Sequence, residues 1–199
     1  ITHIIATEKL PIRVFTIDTG RLFEETYQLM HTTQKKFGIT LEVYFPNAES
    51  IQHYASHNGV NAFYDSVENR KACCYIRKVE PLSRALKNTS VWITGLRAAH
   101  SENRASMPMI EWDDRFKIIK YNPLLHWSDE EVKAYIKRHQ IPTNPLLQKG
   151  FTSIGCSPCT RAVLAGESNR AGRWWWENGN KECGLHTKIS TKGQELISA

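Results

Sequence analysis

The sequence predicts an α/β protein with a doubly wound, mainly parallel sheet. An apolar, β-branched run at residues 12–17 precedes a helical pattern at 22–37, and a second apolar run follows at 40–45. Strand, helix, strand in this order is the signature of the βαβ unit of parallel sheets. A further apolar run at 90–94 ends in the glycine turn at Gly95, which predicts a third strand.

The first three elements follow from local signals. The run at 12–17 is closed by a turn at Asp18-Thr19-Gly20, and the run at 40–45 is ended by Pro46. Within 22–37, apolar or small residues recur at helical spacing, and Gly38 supplies a helix stop. These signals indicate a buried strand, an amphipathic helix and a second buried strand.

The later elements are predicted by capping and turn residues. Residues 48–66 are expected to form one or two short helices, and residues 109–121 two strand segments around Asp113 and Asp114. The remaining expectations are a helix up to Val79 that resumes at Pro81, a capping-box helix from Ser128 to His139, and a short helix after Cys159.

The end of the first strand is a candidate ligand-binding rim. In open parallel sheets, ligands bind outside the carboxyl ends of the strands. Asp18, Thr19 and Gly20 occupy that position after residues 12–17. The alternative is an ordinary strand-to-helix turn without a ligand.

The length, composition and net charge of the chain limit the possible functions. At 199 residues, with 41% hydrophobic and 23% charged residues, the chain fits one domain with a substantial core. No run approaches the length of a membrane span and no secretory signal is present, so we expect no membrane partner and a cytoplasmic location. The net charge of +6 favours an anionic partner, although a basic surface without a partner is the alternative. We expect an α/β domain at 1–166 and a mobile tail at 167–199.

Four of the five cysteines form two tight pairs, Cys73-Cys74 and Cys156-Ser-Pro-Cys159. Disulfides are unexpected in a chain of this kind, so the pairs point to metal or cluster binding. Structural zinc prefers cysteines spaced by two or more residues, whereas adjacent cysteines can each bind a different iron of a [4Fe–4S] cluster. The pattern favours the cluster over zinc, with four reduced, buried thiols as a further alternative.

Basic residues accompany these pairs and the strand ends. Such cations suit an anionic thiolate site and bind sulfate or phosphate oxygens. A single arginine is more often a solvated surface residue, but the residues here are clustered. Near the cysteines they are Arg70, Lys71, Arg77, Lys78 and Arg161, and elsewhere they are Arg97, Arg104, Arg170 and Arg173.

The fifth cysteine, Cys183, lies apart from the others in a polar C-terminal stretch, three residues before His186. A thiolate is a strong nucleophile, and nearby cations lower its pKa. This predicts a nucleophile that the tail brings to a site built by the rest of the chain. The alternative is an incidental tail cysteine.

Together these motifs closely resemble the assimilatory adenylyl-sulfate (APS) reductases, the iron–sulfur branch of the PAPS/APS reductase family. The resemblance covers nearly all of the chain. Its segments are CCYIRKVEP at 73–81, GCSPCTRA at 155–162, ECGLH at 182–186, DTGRLFEETY at 18–27 and WITGLR at 92–97. Relatives that use the 3′-phosphorylated substrate PAPS share the strand motifs and the tail but lack both cysteine pairs, so the pairs favour the APS-using branch.

The resemblance implies a fold of the adenine nucleotide alpha hydrolase or ATP-pyrophosphatase type and a role for each matched residue. Cys183 would be the nucleophile, attacking the sulfur of APS, expelling AMP and leaving an S-sulfocysteine. A thiol of thioredoxin, or of a glutaredoxin-like donor, would then release sulfite. The ligands of a [4Fe–4S] cluster would be Cys73, Cys74, Cys156 and Cys159. Ile17, Thr19 and Gly95 would lie against the nucleotide, and the phosphosulfate would face Lys78, Arg104, Arg170, Arg173 and His186.

Two departures from the family pattern modify these expectations. The family opens with a strand and a Ser/Gly-rich phosphate-binding loop, and no such loop precedes Ile12. We therefore expect the α/β domain of this sequence to be N-terminally incomplete. Ala98 stands where the family has a second arginine after Arg97, so Arg97 receives less weight as a ligand.

Three rival functions stay open at the level of the sequence. They are a PAPS reductase without a cluster, a tRNA-thiolating enzyme of the ATP-pyrophosphatase type, and a non-catalytic, zinc-held nucleotide-binding module. The ECGLH tail argues against the tRNA enzyme, so no nucleic-acid partner is expected. A homo-oligomer is compatible with the sequence.

Overall fold

The structure of the protein is a computed structural model, and it describes residues 1–100, 104, 106–177 and 185. Its strands are β1 Val14–Ile17, β2 Leu41–Tyr44, β3 Val91–Ile93, β4 Ile110–Asp113 and β5 Ile118–Tyr121. Its α-helices are α1 Thr2–Thr7, α2 Glu24–Phe37, α3 Ala48–Asn58, α4 Val67–Cys74, α5 Glu80–Leu86 and α6 Asp129–Arg138. Short 3₁₀ turns lie at Ala62–Tyr64, Ala98–His100, Pro145–Lys149 and Ser157–Cys159.

The strands form two sheets of mixed but mainly parallel pairing. β1 and β2 are parallel, with Val14 opposite Leu41, and α2 connects them. β3 is parallel to β5, and β4 is antiparallel to β5 across a tight hairpin. The predicted α/β class and the first βαβ unit are therefore confirmed.

The termini of α2 and α6 show why the sequence folds locally in this way. α2 carries acidic residues in its first turn and basic residues in its last, which complement the helix dipole. It ends at Gly38, whose φ of 61° is left-handed. α6 begins with the predicted capping box, in which the Ser128 and Glu131 side chains each accept a backbone N–H of the other residue.

The helix that carries the first cysteine pair differs from its prediction. We expected a break between Val79 and Pro81, but the backbone stays helical through a π segment, Tyr75–Val79, into α5. Pro81 lies in the first turn of α5, where a missing N–H is tolerated. The wider π turn before it makes the continuous path possible, because a proline ring crowds the carbonyl one turn earlier in a regular helix.

The predicted short helix after Cys159 was wrong. A 3₁₀ turn lies before that point, at Ser157–Cys159, with Pro158 in its first positions. Thr160 is then extended and pairs with Arg173 in an isolated antiparallel bridge. The backbone after Cys159 satisfies its hydrogen bonds with this later segment, so a helix does not form.

Two buried clusters make up the core. One surrounds the cysteine pairs and contains Tyr54, Ala62, Phe63, Cys73, Cys74, Ile76, Cys156, Cys159 and Trp174. The other contains Leu82, Leu86, Trp92 and Ile118, against which Phe15, Ile17, Phe116 and Leu185 pack. Part of the predicted tail therefore packs into the core, because Trp174 is fully buried. Among the described helices, none has the length and apolar character needed to cross a bilayer.

Candidate active site

The two cysteine pairs, 82 residues apart in the chain, meet around one cavity. Cys73 and Cys74 end α4, and Cys156 and Cys159 bracket the 3₁₀ turn. All four side chains are buried and none is in a disulfide. The other residues that line the cavity are Arg21, Phe63, Arg70, Arg77, Lys78 and Pro158.

The donor set fits a thiolate-bound group larger than one ion. Across the part of the chain that the structure describes, no three His, Cys, Asp or Glu side chains stand close enough to hold a single metal ion. The four sulfurs nevertheless share one cavity whose other charged lining residues are all cationic. Soft sulfur donors among cations suit an anionic iron–sulfur centre. Their role as cluster ligands stays a prediction.

The second cysteine pair is attached to the end of β1. The Ser157 N–H donates to the Arg21 carbonyl at 2.8 Å, and the Tyr64 hydroxyl donates to the Pro158 carbonyl at 2.7 Å. The Cys156 sulfur lies 3.2 Å from the Thr19 hydroxyl oxygen. The predicted rim and the predicted ligands are therefore in direct contact.

The end of β1 is also attached to the helix of the first pair. Arg77, in the π segment, donates from Nη1 to the Thr19 carbonyl at 2.7 Å. Gly20 turns there with a φ of 69°, and the Asp18 carboxylate accepts its N–H at 2.7 Å and the Tyr27 hydroxyl at 2.9 Å. A left-handed φ favours glycine, so this residue type is what lets the chain turn at the cavity.

The thiols do not share one electrostatic environment. Burial opposes ionisation of Cys156, but the Lys78 ammonium, the Thr19 hydroxyl and the Arg173 guanidinium outweigh burial and lower its pKa. Burial and neighbouring sulfurs raise the pKa of Cys159 to about 12. Burial also raises the pKa of Cys73, against the opposing charge of Arg77. Cys156 is thus the thiol of these three that the cations stabilise as thiolate.

A buried tryptophan contacts three cations, of which Arg70 and Lys78 line the cavity. The guanidinium carbons of Arg70 and Arg173 lie 4.7 and 4.6 Å from the Trp174 ring centroid, and the Lys78 ammonium lies 6.0 Å from it. Glu177 accepts two hydrogen bonds from Arg70, both at 2.8 Å. Bidentate pairing and cation–π contact together hold these side chains in fixed orientations.

Gly155 provides the space that Arg173 occupies. A Cβ at this position would lie 2.6 Å from the guanidinium carbon of Arg173, which is closer than real contacts allow. Arg173 is itself buried, and its Nη1 reaches the Ser153 hydroxyl at 3.4 Å. The glycine before Cys156 therefore has a packing role next to a predicted substrate ligand.

The end of β3 is arranged differently. The Thr94 hydroxyl donates to the Asn122 side chain at 2.5 Å, and Arg97 forms an ion pair of 2.6 Å with Asp129. Gly95 is exposed, and within the described part of the chain no atom beyond its sequence neighbours lies within 4 Å of where its Cβ would be. The polar groups of this strand end mostly stabilise neighbouring structure.

The structure brings some predicted residues together and not others. Thr19, Lys78 and Arg173 are placed at the cysteine cavity. Ile17 instead packs in the second core cluster, Gly95 follows β3, and Arg104 is buried. Arg170 is half-buried, and its carbonyl accepts the Arg173 N–H at 3.0 Å. Cys183 and His186 lie outside the described residues.

Two cations predicted to crowd the pairs are placed elsewhere. Arg161 forms a two-pronged pair with Glu167 at 2.7 and 2.8 Å. Lys71 is exposed. Both positions lie two residues from a cysteine in sequence, but the Arg161 side chain pairs with Glu167 and Lys71 is exposed to solvent.

Sequence reasoning missed several residues of the site. Arg21 stacks over Phe63 at 5.1 Å, and both line the cavity. Trp174 and Glu177 were assigned to a mobile tail. The Trp174-Trp175-Trp176 run was the signal that could have shown that Trp174 is buried, because a cluster of large aromatic side chains in a polar segment indicates burial.

Comparison with known proteins identifies the family of this chain. The family model of the phosphoadenosine phosphosulfate reductase domain matches residues 1–162. The chain belongs to this family of reductases, and the resemblance read from its motifs is confirmed.

Within the family, the similarity is high to adenosine 5′-phosphosulfate reductases. The protein of that name from Allochromatium vinosum is 52% identical over 94% of this chain and 74% of its own length. That from Agrobacterium fabrum is 51% identical over 94% and 72%. The crystal structure of phosphoadenylyl-sulfate (PAPS) reductase from Candida auris, a phosphate complex, superposes with a TM-score of 0.68 at 32% identity, over 81% of this chain and 76% of that one.

Proposed function

We propose that the protein reduces adenosine 5′-phosphosulfate to sulfite and AMP, with a thiol donor as reductant, in sulfate assimilation and cysteine biosynthesis. The observation that carries this is the meeting of four buried thiols with Thr19 and a wall of cations at the end of β1. The adenosine 5′-phosphosulfate reductases that are about half identical to the chain support the same substrate.

The cations supply the chemistry that the phosphosulfate needs. Lys78 and Arg173 both face the ring of the buried Trp174, and Arg170 is held next to Arg173 by a backbone hydrogen bond. Charge moves onto the phosphate when the sulfur–oxygen bond breaks, and fixed cations stabilise that charge. Arg104 and His186 are proposed to contact the same group.

Cys73, Cys74, Cys156 and Cys159 would hold a [4Fe–4S] cluster. When bound, it supplies a fixed negative centre that tunes the charge next to the substrate. The role of the chain is to keep the four sulfurs buried and to balance their charge with Arg77 and Lys78, which are buried beside them. Thr19, a proposed nucleotide contact, also contacts Cys156, so it connects the cysteine site to the proposed nucleotide site.

Cys183 is proposed as the nucleophile. Its thiolate attacks the sulfate sulfur, a new S–S bond forms, and AMP leaves with the electron pair of the broken S–O bond. A thiolate of thioredoxin or a glutaredoxin-like donor then attacks the Cys183 sulfur. Sulfite leaves, and the donor's second thiol resolves the mixed disulfide and returns Cys183 to its reduced form.

Mass spectrometry after mixing the protein with APS tests this function. We expect a gain of one SO₃ unit on the peptide that contains Cys183, reversed by thioredoxin. Cys183→Ser should abolish sulfite release and the adduct while AMP binding persists. A substantial thioredoxin-dependent rate in that variant would contradict the mechanism.

The second candidate substrate is PAPS, because the Candida auris structure is named as a PAPS reductase. Comparing kcat/KM for APS and PAPS on the iron-loaded protein decides between them. We expect APS to be preferred. A colourless, iron-free protein that prefers PAPS would overturn the APS assignment.

The proposed setting is a reducing compartment. Four buried cysteines that form no disulfide suit the cytoplasm, where thiols are kept reduced. Thioredoxin is the proposed protein partner, with no role for nucleic acid or membrane, and a homo-oligomer is compatible with the proposal.

A further inference from the structure

We propose that Asp18 and Tyr27 are positioning residues, which together hold the turn at Thr19 in the conformation that contacts both the nucleotide and the second cysteine pair. This role rests on the proposed function, in which Thr19 lies against the nucleotide. Asp18 and Tyr27 are the first and last residues of the motif DTGRLFEETY at 18–27. Of this motif, the proposed function uses Thr19 alone.

One oxygen of the Asp18 carboxylate accepts two hydrogen bonds. Oδ1 accepts the Gly20 N–H at 2.7 Å and the Tyr27 hydroxyl at 2.9 Å. Asp18 is 5% exposed, and a buried carboxylate that loses a donor is left with part of its charge unsatisfied. The two donors therefore hold the carboxylate, and the carboxylate holds the left-handed turn at Gly20.

Tyr27 connects this turn to α2. It is the fourth residue of that helix, which begins at Glu24, and its hydroxyl reaches back nine residues to Asp18. Burial, the hydrogen bond to Asp18 and the charges of Asp18 and Cys156 raise the pKa of Tyr27. The hydroxyl is therefore protonated at neutral pH and serves as a donor to the carboxylate.

Thr19 lies inside the turn that the Asp18 carboxylate closes. Its hydroxyl oxygen is 3.2 Å from the Cys156 sulfur and accepts the Arg21 N–H at 3.3 Å. Its carbonyl accepts a hydrogen bond from Nη1 of Arg77 at 2.7 Å. A shift of the turn changes all of these contacts at once, because they belong to one residue.

The chain directly after the turn is held by other contacts. The Arg21 carbonyl accepts the Ser157 N–H at 2.8 Å, and Nη1 of Arg21 donates to the Asn61 side chain at 2.9 Å. With the chain fixed at Arg21, the direction of the Thr19 side chain depends on the turn that the Asp18 carboxylate closes. Loss of either hydrogen bond to Oδ1 should therefore move Thr19 without releasing the cysteine segment.

Asp18→Asn is the conservative variant, because both hydrogen bonds end on one oxygen of the carboxylate. The amide oxygen of asparagine can take the place of Oδ1 and accept both donors. Asp18→Ala loses both bonds, and Tyr27→Phe loses one. Tyr135→Phe is the matched control, because its hydroxyl also has a partner at 2.9 Å, His3 Nδ1, and neither residue lines the cysteine cavity.

Amide hydrogen exchange reports the turn without any substrate. It is measured by mass spectrometry on a peptide that contains residues 18–22 of the iron-loaded protein. We expect exchange to accelerate about tenfold in Tyr27→Phe and about 100-fold in Asp18→Ala, since hydrogen bonds to a buried charged group are lost. Asp18→Asn and Tyr135→Phe should exchange like the wild type.

Two results of this measurement would overturn the role in the turn. One is wild-type exchange in both Asp18→Ala and Tyr27→Phe. The other is equal acceleration in peptides from the whole protein, because that result indicates global destabilisation.

Steady-state kinetics with APS test the positioning of Thr19. We expect Tyr27→Phe and Asp18→Ala to raise the KM for APS about tenfold, with kcat and bound iron retained, because a nucleotide contact is lost while the thiols stay in place. Asp18→Asn should restore most of the affinity, and Tyr135→Phe should leave the KM unchanged.

An unchanged KM in both Tyr27→Phe and Asp18→Ala would contradict the positioning role. Asp18→Asn as impaired as Asp18→Ala would contradict it too, since the charge and not the hydrogen bonds would then matter. If the wild type does not turn over APS, the proposed function fails, and the exchange rates still decide whether Asp18 and Tyr27 hold the turn.

Discussion

β1 and β3 each pair with a parallel strand, and polar residues follow the carboxyl end of each. The polar residues after β1 and those after β3 nevertheless have different kinds of partner. At the end of β1, Thr19 contacts Cys156 and Arg77, which lie 137 and 58 residues away in the chain. At the end of β3, Thr94 bonds to Asn122, 28 residues away, and Arg97 pairs with Asp129, and both partners lie outside the cysteine cavity.

This difference indicates that the end of β1 belongs to the candidate active site, whereas the polar residues at the end of β3 mainly stabilise the fold. Polar groups at the end of β1 are contacted by side chains that also line the cysteine cavity, so the strand end, the thiols and the cations form one unit. Polar groups at the end of β3 are paired with β5 and with the start of α6. The comparison predicts that substitutions near β1 change activity, whereas those near β3 mainly change stability or nucleotide affinity.

The largest effect is expected for Cys156→Ser. The hydroxyl keeps the size of the side chain but is a poor ligand for iron, and the contact with Thr19 loses its thiolate. We expect loss of bound iron and of visible absorbance, with sulfite release reduced at least about 100-fold. Iron analysis and absorbance spectra measure this. Full iron content in the variant would contradict the ligand set.

The next effect is expected for Lys78→Gln, which removes a buried cation that lies beside Cys156 and faces Trp174. We expect kcat to fall about 100-fold, as when one preorganised oxyanion donor is removed. Lys71→Gln on the same helix is the matched control, because Lys71 is exposed. Steady-state kinetics check both variants, and equal losses in the two would remove the special role of Lys78.

A pair of glycine variants compares the two strand regions directly. In Gly155→Ala, the new methyl group collides with the Arg173 guanidinium, so we expect Arg173 to move and kcat/KM to fall about tenfold. In Gly95→Ala, the methyl group meets no atom of the described residues beyond its chain neighbours within 4 Å, so stability should not change. A raised KM in that variant would then report the proposed nucleotide contact.

Melting temperatures and the KM for APS, measured on both glycine variants, decide the comparison. Unchanged kinetics in Gly155→Ala would show that Arg173 can shift without consequence. Unchanged kinetics in Gly95→Ala would remove Gly95 from the nucleotide contacts.

The smallest effect on activity is expected for Arg97→Gln. The substitution breaks the pair with Asp129, which is 41% exposed, so the free energy of unfolding should fall by about 1–2 kcal/mol. The KM for APS should not change. Urea unfolding measures the difference, with Lys133→Gln on the exposed side of α6 as control. A large rise in KM without loss of stability would make Arg97 a substrate ligand.

The sequence predicted the parts that depend on short-range signals. The βαβ unit, the capping box at Ser128 and the pairing of the cysteines into tight motifs are encoded within a few residues. The family motifs also pointed to the family that the comparisons confirmed. These features need no knowledge of which distant segments meet.

The parts that sequence reasoning missed depend on long-range packing. Whether Arg77 and Arg97 become site residues or structural residues is decided by partners far away in the chain, Thr19 for one and Asp129 for the other. Spacing alone could not show that Trp174 packs in the cluster around the cysteines, or that Glu177 holds Arg70, which lines their cavity. Nor could spacing show that Arg161 pairs with Glu167 and does not line the cysteine cavity.

The π segment at Tyr75–Val79 has a consequence for the phase of the helix around it. Cys73, Cys74, Arg77 and Lys78 all face the cavity, while α5 beyond the segment packs Leu82 and Leu86 into the other core cluster. Each residue of an α-helix turns the chain by about 100°. Deleting one residue from the π turn would therefore rotate the thiols and cations away from their cavity for as long as α5 kept its packing. The extra residue of the π turn changes the rotation between the two parts of this continuous helix. It lets the first part face the cysteine cavity while α5 packs into the other core cluster, which a regular helix of this sequence would not do.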